Sequence, residues 1–192
     1  FGARDPERRR VAGALRAMQP SSGCAGRPVP SSAMRVSGTA VMTRTLHLVD
    51  ADNLLGDPSV TDRRTIVSVF DAYRRAAGHR PGDHTVLATG CNARHVIEVE
   101  LAWPTSLHRR RPGRDGADLA LIDEAIVAAG RRNYARVVIG SGDHIFVPTI
   151  RLLQTAGCDV TVVAPRRSVA FDVRATGVTV VDLDPVLLAL AA

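Results

Sequence analysis

Residues 135–146 read Ala-Arg-Val-Val-Ile-Gly-Ser-Gly-Asp-His-Ile-Phe. The β-branched run stops at Gly-Ser-Gly, Asp143 follows at once, and an apolar helical pattern begins at Phe146. The pattern predicts a buried strand, a tight turn, an acid at the carboxyl end of the strand and then a helix. Ligands bind at this edge in open parallel α/β sheets, so Asp143 is the first candidate functional residue.

The rest of the chain after residue 42 alternates strand and helix patterns in the same way. We predict buried strands at residues 45–50, 84–90, 135–140 and 159–164, with a small strand at 178–181. We predict helices at about 61–77, 117–129 and 146–156. This alternation indicates an α/β fold with an open, mostly parallel sheet of about five strands and helices on both faces.

Some segments have less regular patterns. Residues 50–58 are predicted to form a turn region, and Ser59 or Thr61 is expected to cap the first long helix. Residues 96–103 fit either a third strand or a short helix, and residues 107–116 are predicted to form a basic loop. Residues 185–192 are an apolar tail.

Residues 1–42 differ in composition from the rest of the chain. Their density of Pro, Ser and Gly argues against a packed core. We therefore expect a disordered basic leader or upstream extension over residues 1–42, with room for a short helix at 6–18, and one domain over residues 43–192. The working protein is expected to begin near Met42.

The net charge of +6 does not by itself indicate a nucleic-acid-binding domain. Residues 1–44 carry all of it, because residues 45–192 contain equal numbers of Arg and acidic residues. Every basic residue is Arg, so no lysine is available as a catalyst. Any argument for nucleic-acid binding must rest on local clusters of charge.

Composition also bears on location. No apolar run approaches the roughly 18 residues that a membrane span needs. The three cysteines, Cys24, Cys91 and Cys158, are far apart and form no paired motif, which favours a reducing cytoplasm over a disulfide framework. We expect a cytoplasmic protein without membrane contact, and a homo-oligomer or a protein partner remains open.

Three acids are predicted to lie at the same end of the fold, near the carboxyl edge of the sheet. Asp50 ends the first strand, Asp143 follows the fourth, and Asp118 lies in the first turn of the helix before that strand. If these strands are neighbours, the carboxylates converge in one crevice, where a divalent cation relieves their repulsion. Hard oxygen ligands favour Mg²⁺ or Mn²⁺, and such a site suits hydrolysis of phosphodiester bonds.

Each acid also has a structural interpretation that remains open. Asp50 can cap a turn, Asp118 can stabilise the positive end of its helix dipole, and Asp143 can cap the helix that follows.

Three motifs resemble those of NYN domains, which have the PIN-like ribonuclease fold. They are Leu-Val-Asp-Ala-Asp-Asn-Leu at 48–54, Gly-Ala-Asp-Leu-Ala-Leu at 116–121 and Gly-Ser-Gly-Asp-His-Ile-Phe-Val-Pro at 140–148. Their order and spacing agree from about residue 43 to residue 184. The resemblance implies a metal-dependent endoribonuclease in which Asp50, Asp118 and Asp143 hold the metal and Asn53 orients a ligand or phosphate.

The chain departs from the family pattern at one position. The second acid of the late motif falls at Ile145, and Ile cannot bind a metal. Asp52 or Asp115 is a candidate for an additional carboxylate, and the site can alternatively operate with three acids.

A cluster of arginines precedes Asp118. Arg109, Arg110, Arg111 and Arg114 form the densest positive patch in the predicted domain. We expect it at the edge of the crevice, where guanidinium groups contact RNA phosphates. Trp103 is a candidate for base stacking, although core packing is the more ordinary role of a lone Trp.

Two further functional classes compete with the ribonuclease. The first is an RNA-binding or regulatory module of the same fold, which Ile145 favours. The second is a phosphatase, because residues 50–52 after a buried strand also resemble the start of the haloacid-dehalogenase family. That family expects a later basic residue, usually Lys, and an acid four residues after the equivalent of Asp143. This chain has no Lys and has Val147 at that position.

Overall fold

The computed structural model describes residues 44–56, 60–91, 93–131 and 133–191. The leader predicted over residues 1–42 and the short helix considered at 6–18 lie outside the described residues, as does Ser59.

Within the described residues, six strands form one sheet. They are β1 (Thr45–Asp50), β2 (His84–Gly90), β3 (Leu107–Arg111), β4 (Arg136–Gly140), β5 (Asp159–Ala164) and β6 (Thr179–Asp182). Their order is β3-β2-β1-β4-β5-β6, and every neighbouring pair is parallel. The predicted α/β fold is confirmed, with six strands where about five were expected.

Helices connect the strands. They are α1 (Ala51–Leu55), α2 (Arg63–Ala77), α3 (Val96–Ala102), α4 (Gly116–Arg131), α5 (Val147–Thr155), α6 (Phe171–Arg174) and α7 (Asp184–Ala191). Short 3₁₀ helices form at His144–Phe146 and Arg166–Ser168. Within this part of the chain, none of the helices has both the length and the apolar character needed to cross a membrane.

The helices cover both faces of the sheet. Helix α2 packs with α3 and α7 on one face, whereas α4 packs with α5 and against β1, β2 and β3. Val49, Val138 and Tyr73 belong to the core on the α2 face. Because strand side chains alternate, Leu48 and Ile139 belong to the face that α4 covers.

The structure settles the alternative left open at residues 96–103 and corrects the prediction at residues 107–116. The segment predicted as strand or helix forms α3, and its spacing explains why: Val96, Val99 and Trp103 are buried at i, i+3 and i+7. The predicted basic loop at 107–116 is wrong, because residues 107–111 form β3 at the edge of the sheet. Charged side chains are typical of an edge strand, so the hydrophobic pattern does not reveal it.

Helix ends also differ from expectation. The cap of α2 is Asp62 rather than Thr61, since the Thr65 amide donates to Asp62 Oδ2 at 2.9 Å. The predicted turn at 50–58 contains the short helix α1, and the apolar tail forms α7. A 3₁₀ helix precedes α5, which begins at Val147 rather than Phe146.

Candidate active site

The candidate site lies where the strand order reverses, between β1 and β4. These strands pair directly, with Leu48 opposite Ile139, and they connect to opposite sides of the sheet. Asp50 ends β1, and Asp143 follows β4 by three residues. The chain therefore presents both acids at the carboxyl edge of the sheet, beside its topological switch point.

Asp118 reaches this edge from helix α4. The strand β3 ends at the same edge, and the helix begins five residues later at Gly116. A Cβ at Gly116 would lie 2.0 Å from the Arg111 carbonyl oxygen, so only glycine permits this close start of the helix. Side chains two residues apart on a strand point to the same face of the sheet. Asp50 therefore points to the same face as Leu48, which is the face that α4 covers.

Asp50 is a buried carboxyl group with several partners. It is 5% exposed, its Oδ1 accepts from the Asn53 amide at 3.1 Å, and its Oδ2 accepts from Ser141 Oγ at 3.2 Å. Burial, and then the charge of Asp118, raise the pKa of Asp50 well above its ordinary value. Asp50 thus caps α1, and the bond from Ser141 links it to the loop after β4.

Asp118 forms a hydrogen-bonded pair with Asp50. Burial and then the negative charge of Asp143 raise the pKa of Asp118 to about 6, while the hydrogen bond with Asp50 opposes this increase. The hydrogen bond between the two carboxyl groups raises the pKa of Asp50 and lowers that of Asp118, so the two groups titrate as a pair. Asp118 Oδ1 is buried and has no hydrogen-bond partner among the described residues.

Asp143 is the most accessible of the three acids. Its Oδ1 accepts from the Ile145 amide at 2.9 Å and lies 2.9 Å from His144 Nδ1. It therefore caps the 3₁₀ helix, as one of the structural interpretations expected, and its charge also acts on Asp118. Both roles coexist because a cap uses only one carboxylate oxygen.

Asn53 joins the first and third motifs. Its Oδ1 accepts from the Gly142 amide at 3.1 Å, which ties α1 to the loop after β4. The structure gives this side chain a positioning contact, and the predicted contact with a phosphate remains a prediction.

The two additional acids lie close enough to affect the pair electrostatically. The charge of Asp52 raises the pKa of both Asp50 and Asp118, and the charge of Asp115 raises that of Asp118. Asp52 Oδ2 accepts from the Gly90 amide at 2.8 Å, and its Oδ1 lies 2.7 Å from His95 Nε2.

His95 is a site residue that the sequence analysis missed. It is fully buried at the start of α3, and its Nδ1 has no hydrogen-bond partner among the described residues. It lies 43 residues from Asp52, at no spacing typical of a ligand motif. Asp52 and His95 meet because α1 packs beside the end of β2. No sequence pattern reveals this contact.

The four arginines of the predicted patch do not form one surface. On β3, Arg109 pairs with Glu124 at 2.8 Å and Arg111 with Asp123 at 2.8 Å, both on α4. Arg110 points to the other face and lies 3.2 Å from Glu100 on α3. Arg114 is exposed in the turn before α4. Trp103, the candidate for stacking, is only 2% exposed and packs against Phe70.

The donor set suits a hard cation. Within the described residues, no group of three or more His, Cys, Asp or Glu side chains is arranged to hold a metal ion by itself. Mg²⁺ commonly uses only one or two protein carboxylates and completes its shell with water and substrate phosphates. The Asp50–Asp118 pair, with one buried carboxylate oxygen lacking a partner, fits such a partial ligand set.

The fold and the carboxylate cluster define a PIN-like α/β domain. The family model of the NYN domain matches residues 44–183, and the chain belongs to that family. The NYN domain has a nuclease-like fold and acts on RNA, and PIN-like nucleases generally use divalent metals.

Other comparisons add little. No curated protein matches the chain. A solved structure of YcaC from Pseudomonas aeruginosa, with hexane-2,5-diol and covalent acrylamide, is similar at 22% identity and a TM-score of 0.44. The match covers 77% of this chain and 79% of YcaC. At that TM-score the similarity carries no argument.

Proposed function

We propose that this NYN domain is a metal-dependent endoribonuclease that hydrolyses RNA phosphodiester bonds. The observation that carries the proposal is the hydrogen-bonded Asp50–Asp118 pair at the switch point, with Asp143 acting on it electrostatically. Carboxyl groups that share a proton in a buried crevice gain most from a cation that replaces the proton.

Asp50 and Asp118 would hold Mg²⁺ or Mn²⁺, and the negative charge of Asp143 would strengthen the attraction of the site for the cation. The ion would supply an activated water molecule and neutralise charge on the phosphate. The Asn53 and Ser141 contacts keep α1 and the loop after β4 together, and so fix the distance between the first and third acids. We assign Asp52 to the rim of the site, where Gly90 and His95 hold its carboxylate in place.

The test is cleavage of labelled RNA by the purified chain with Mn²⁺, Mg²⁺ or EDTA. We expect cleavage only with metal, and we expect Asp50→Asn and Asp143→Asn each to reduce the rate by at least about 100-fold, because each removes a negatively charged carboxylate that would bind or attract the metal. Asp159→Asn is the matched control, since this exposed acid begins β5 at the opposite edge of the sheet.

Two results would reject metal-dependent cleavage at these acids. One is cleavage that persists in EDTA, and the other is equal loss in Asp159→Asn and Asp143→Asn. Thermal unfolding of each variant separates loss of the site from loss of the fold. Asp143→Asn is the more decisive variant, because Asp143 is partly exposed whereas Asp50 is buried.

The second candidate is an RNA-binding or regulatory module without cleavage. Ile145 favours it, because this side chain follows Asp143 by two residues and supplies no ligand to the site. Binding of RNA that survives both Asp→Asn changes, with no cleavage under any metal, would favour the module. NYN membership leaves the phosphatase interpretation without support.

We also infer that the protein works in the cytoplasm. Cys91 and Cys158 are both free thiols in the structure, as a reducing compartment would allow.

A further inference from the structure

A positively charged segment that the sequence analysis did not single out lies beside the acids. It follows β5 and contains Arg166, Arg167, Phe171 and Arg174, which together we call the 166–174 surface. Since β5 is parallel to β4 and pairs with it, the segment begins at the same carboxyl edge as the loop that carries Asp143.

Backbone contacts hold this segment against the candidate site. The Ala170 amide donates to the Gly142 carbonyl oxygen at 2.9 Å. A Cβ on Gly142 would lie 2.4 Å from the Ser168 carbonyl oxygen, so the two loops touch without a side chain between them. Arg167 extends towards α1, with its Nη2 3.8 Å from where a Cβ of Gly56 would lie. The surface therefore borders the residues that precede Asp143 and those that follow Asp52.

The arginines of this surface carry available charge. All three are exposed, and within the described part of the chain none forms an ion pair with a carboxylate. Among the described residues, their guanidinium groups donate one hydrogen bond, from Arg174 Nη2 to the Arg166 carbonyl oxygen at 3.4 Å. One exposed acid, Asp172, lies among them, so the segment keeps a net positive charge. The arginines of β3, by contrast, already face Glu100, Asp123 and Glu124.

Phe171 adds a second, independent feature. It is 82% exposed, the largest exposure among the large hydrophobic side chains of the described residues. An aromatic ring left in water beside guanidinium groups has the form of a stacking platform for unpaired bases. Trp103 cannot serve in this way, because it is buried beneath α3 and α2.

We propose that the 166–174 surface binds an unpaired RNA strand next to the acid cluster, with the arginines contacting phosphates and Phe171 stacking on a base. The proposal rests on the proposed function, since it names the form of RNA that reaches the site. A duplex keeps its base faces stacked internally and can use only the arginines. The surface therefore favours single-stranded over paired RNA.

The experiment measures binding without cleavage. The full chain, in EDTA, is titrated into a short labelled single-stranded RNA and into the same RNA annealed to its complement. We expect Phe171→Ala to weaken single-strand binding by about tenfold, as loss of one stacked base does, and to leave duplex binding unchanged. Ile97→Ala is the matched control, since Ile97 is 69% exposed on α3, away from this segment.

The arginines are tested by salt dependence. Replacing Arg166 and Arg167 with Ala is expected to decrease the slope of log affinity against log salt by roughly 0.7 for each lost phosphate contact on a single strand. Arg80→Ala is the control, because this exposed Arg precedes β2 at the opposite edge of the sheet.

The outcomes separate this proposal from the proposed function. Binding that depends on Phe171 in a chain that never cleaves RNA supports the surface and rejects the nuclease. Metal-dependent cleavage with equal affinities for wild type, Phe171→Ala and Ile97→Ala rejects the surface and leaves the nuclease in place. Equal affinity for single-stranded and duplex RNA also rejects the surface, as does self-association that Phe171→Ala abolishes while RNA binding is unchanged.

Discussion

At the scale of single residues, the site is a hydrogen-bonded pair of acids, and burial raises the pKa of both. Asp50 and Asp118 lie in one buried crevice, and Asp143, Asp52 and Asp115 add negative charge around them. Ionising both members of the pair without a counterion is unfavourable. Without a cation, the cluster is therefore a local source of instability near neutral pH.

This arrangement sets a pH dependence for the metal-free protein. An unfolded Asp titrates near about 3.9, whereas the folded pKa of Asp118 is about 6. The folded state binds more protons in between, so the free energy of unfolding decreases as the pH rises through that window. In EDTA, we expect Asp118→Asn to make the free energy of unfolding depend less steeply on pH. We also expect it to stabilise the fold at neutral pH by up to about 3 kcal/mol, an upper value that solvent screening reduces.

Urea unfolding between acid and neutral pH measures this effect. Asp159→Asn provides the control, because Asp159 is exposed at the opposite end of the sheet. If Asp118→Asn is less stable than the wild type at neutral pH, and its stability depends on pH just as steeply, then ionising the acid pair does not destabilise the fold.

At the scale of secondary-structure elements, the loops after β4 and β5 are packed together through a glycine. Gly142 has no room for a side chain, because Ser168 and Val169 lie within 3 Å of where its Cβ would be. The same glycine donates its amide to Asn53 and accepts from Ala170. One residue therefore positions both the acidic loop and the 166–174 surface.

Gly142→Ala should separate these two loops. We expect a loss of about 1–3 kcal/mol in the free energy of unfolding, the usual cost of overpacking, together with weaker binding of single-stranded RNA. Gly130→Ala is the comparison, since Gly130 is exposed within α4 and an Ala there should stabilise the helix by up to about 1 kcal/mol. Equal stability of Gly142→Ala and wild type would contradict the close contact.

How far the sequence predicts these elements depends on the source of each signal. Asp50 and Asp143 were predictable at strand ends, because buried β-branched runs lead directly into polar turns. The strand β3 was not, because Leu-His-Arg-Arg-Arg lacks a hydrophobic pattern and pairs only through its backbone with β2. The Asp52–His95 contact and the exposure of Phe171 depend on tertiary packing. The local periodicity of the sequence cannot predict them.

At the scale of the whole molecule, the strand order explains why distant motifs meet. The strands β1 and β4 are adjacent, although 85 residues lie between the end of β1 at Asp50 and the start of β4 at Arg136. The crossover helices lie on both faces, so α1 and the loop after β4 meet at the carboxyl edge of the sheet. A site at this edge is built from three parts of the chain and exists only in the folded domain.

The domain boundary between residues 42 and 43 stays a prediction that truncation can test. We expect residues 43–192 alone to unfold at the same temperature as the full chain and to keep metal-dependent cleavage, since the six strands and the candidate acids lie within 45–182. Calorimetry and the RNA cleavage assay on both chains test this. An insoluble or inactive short chain would show that residues 1–42 are needed.

The edge strand β3 has a consequence for how copies of the protein coexist. A free strand edge exposes unpaired amide and carbonyl groups, on which a second chain can add as a further strand and begin aggregation. Along β3, Arg109, Arg110 and Arg111 point alternately to both faces, each anchored by an acid on a neighbouring helix. Charged side chains on an edge strand limit the addition of further strands. We therefore expect the arginine triplet to disfavour edge-to-edge pairing between copies of the protein.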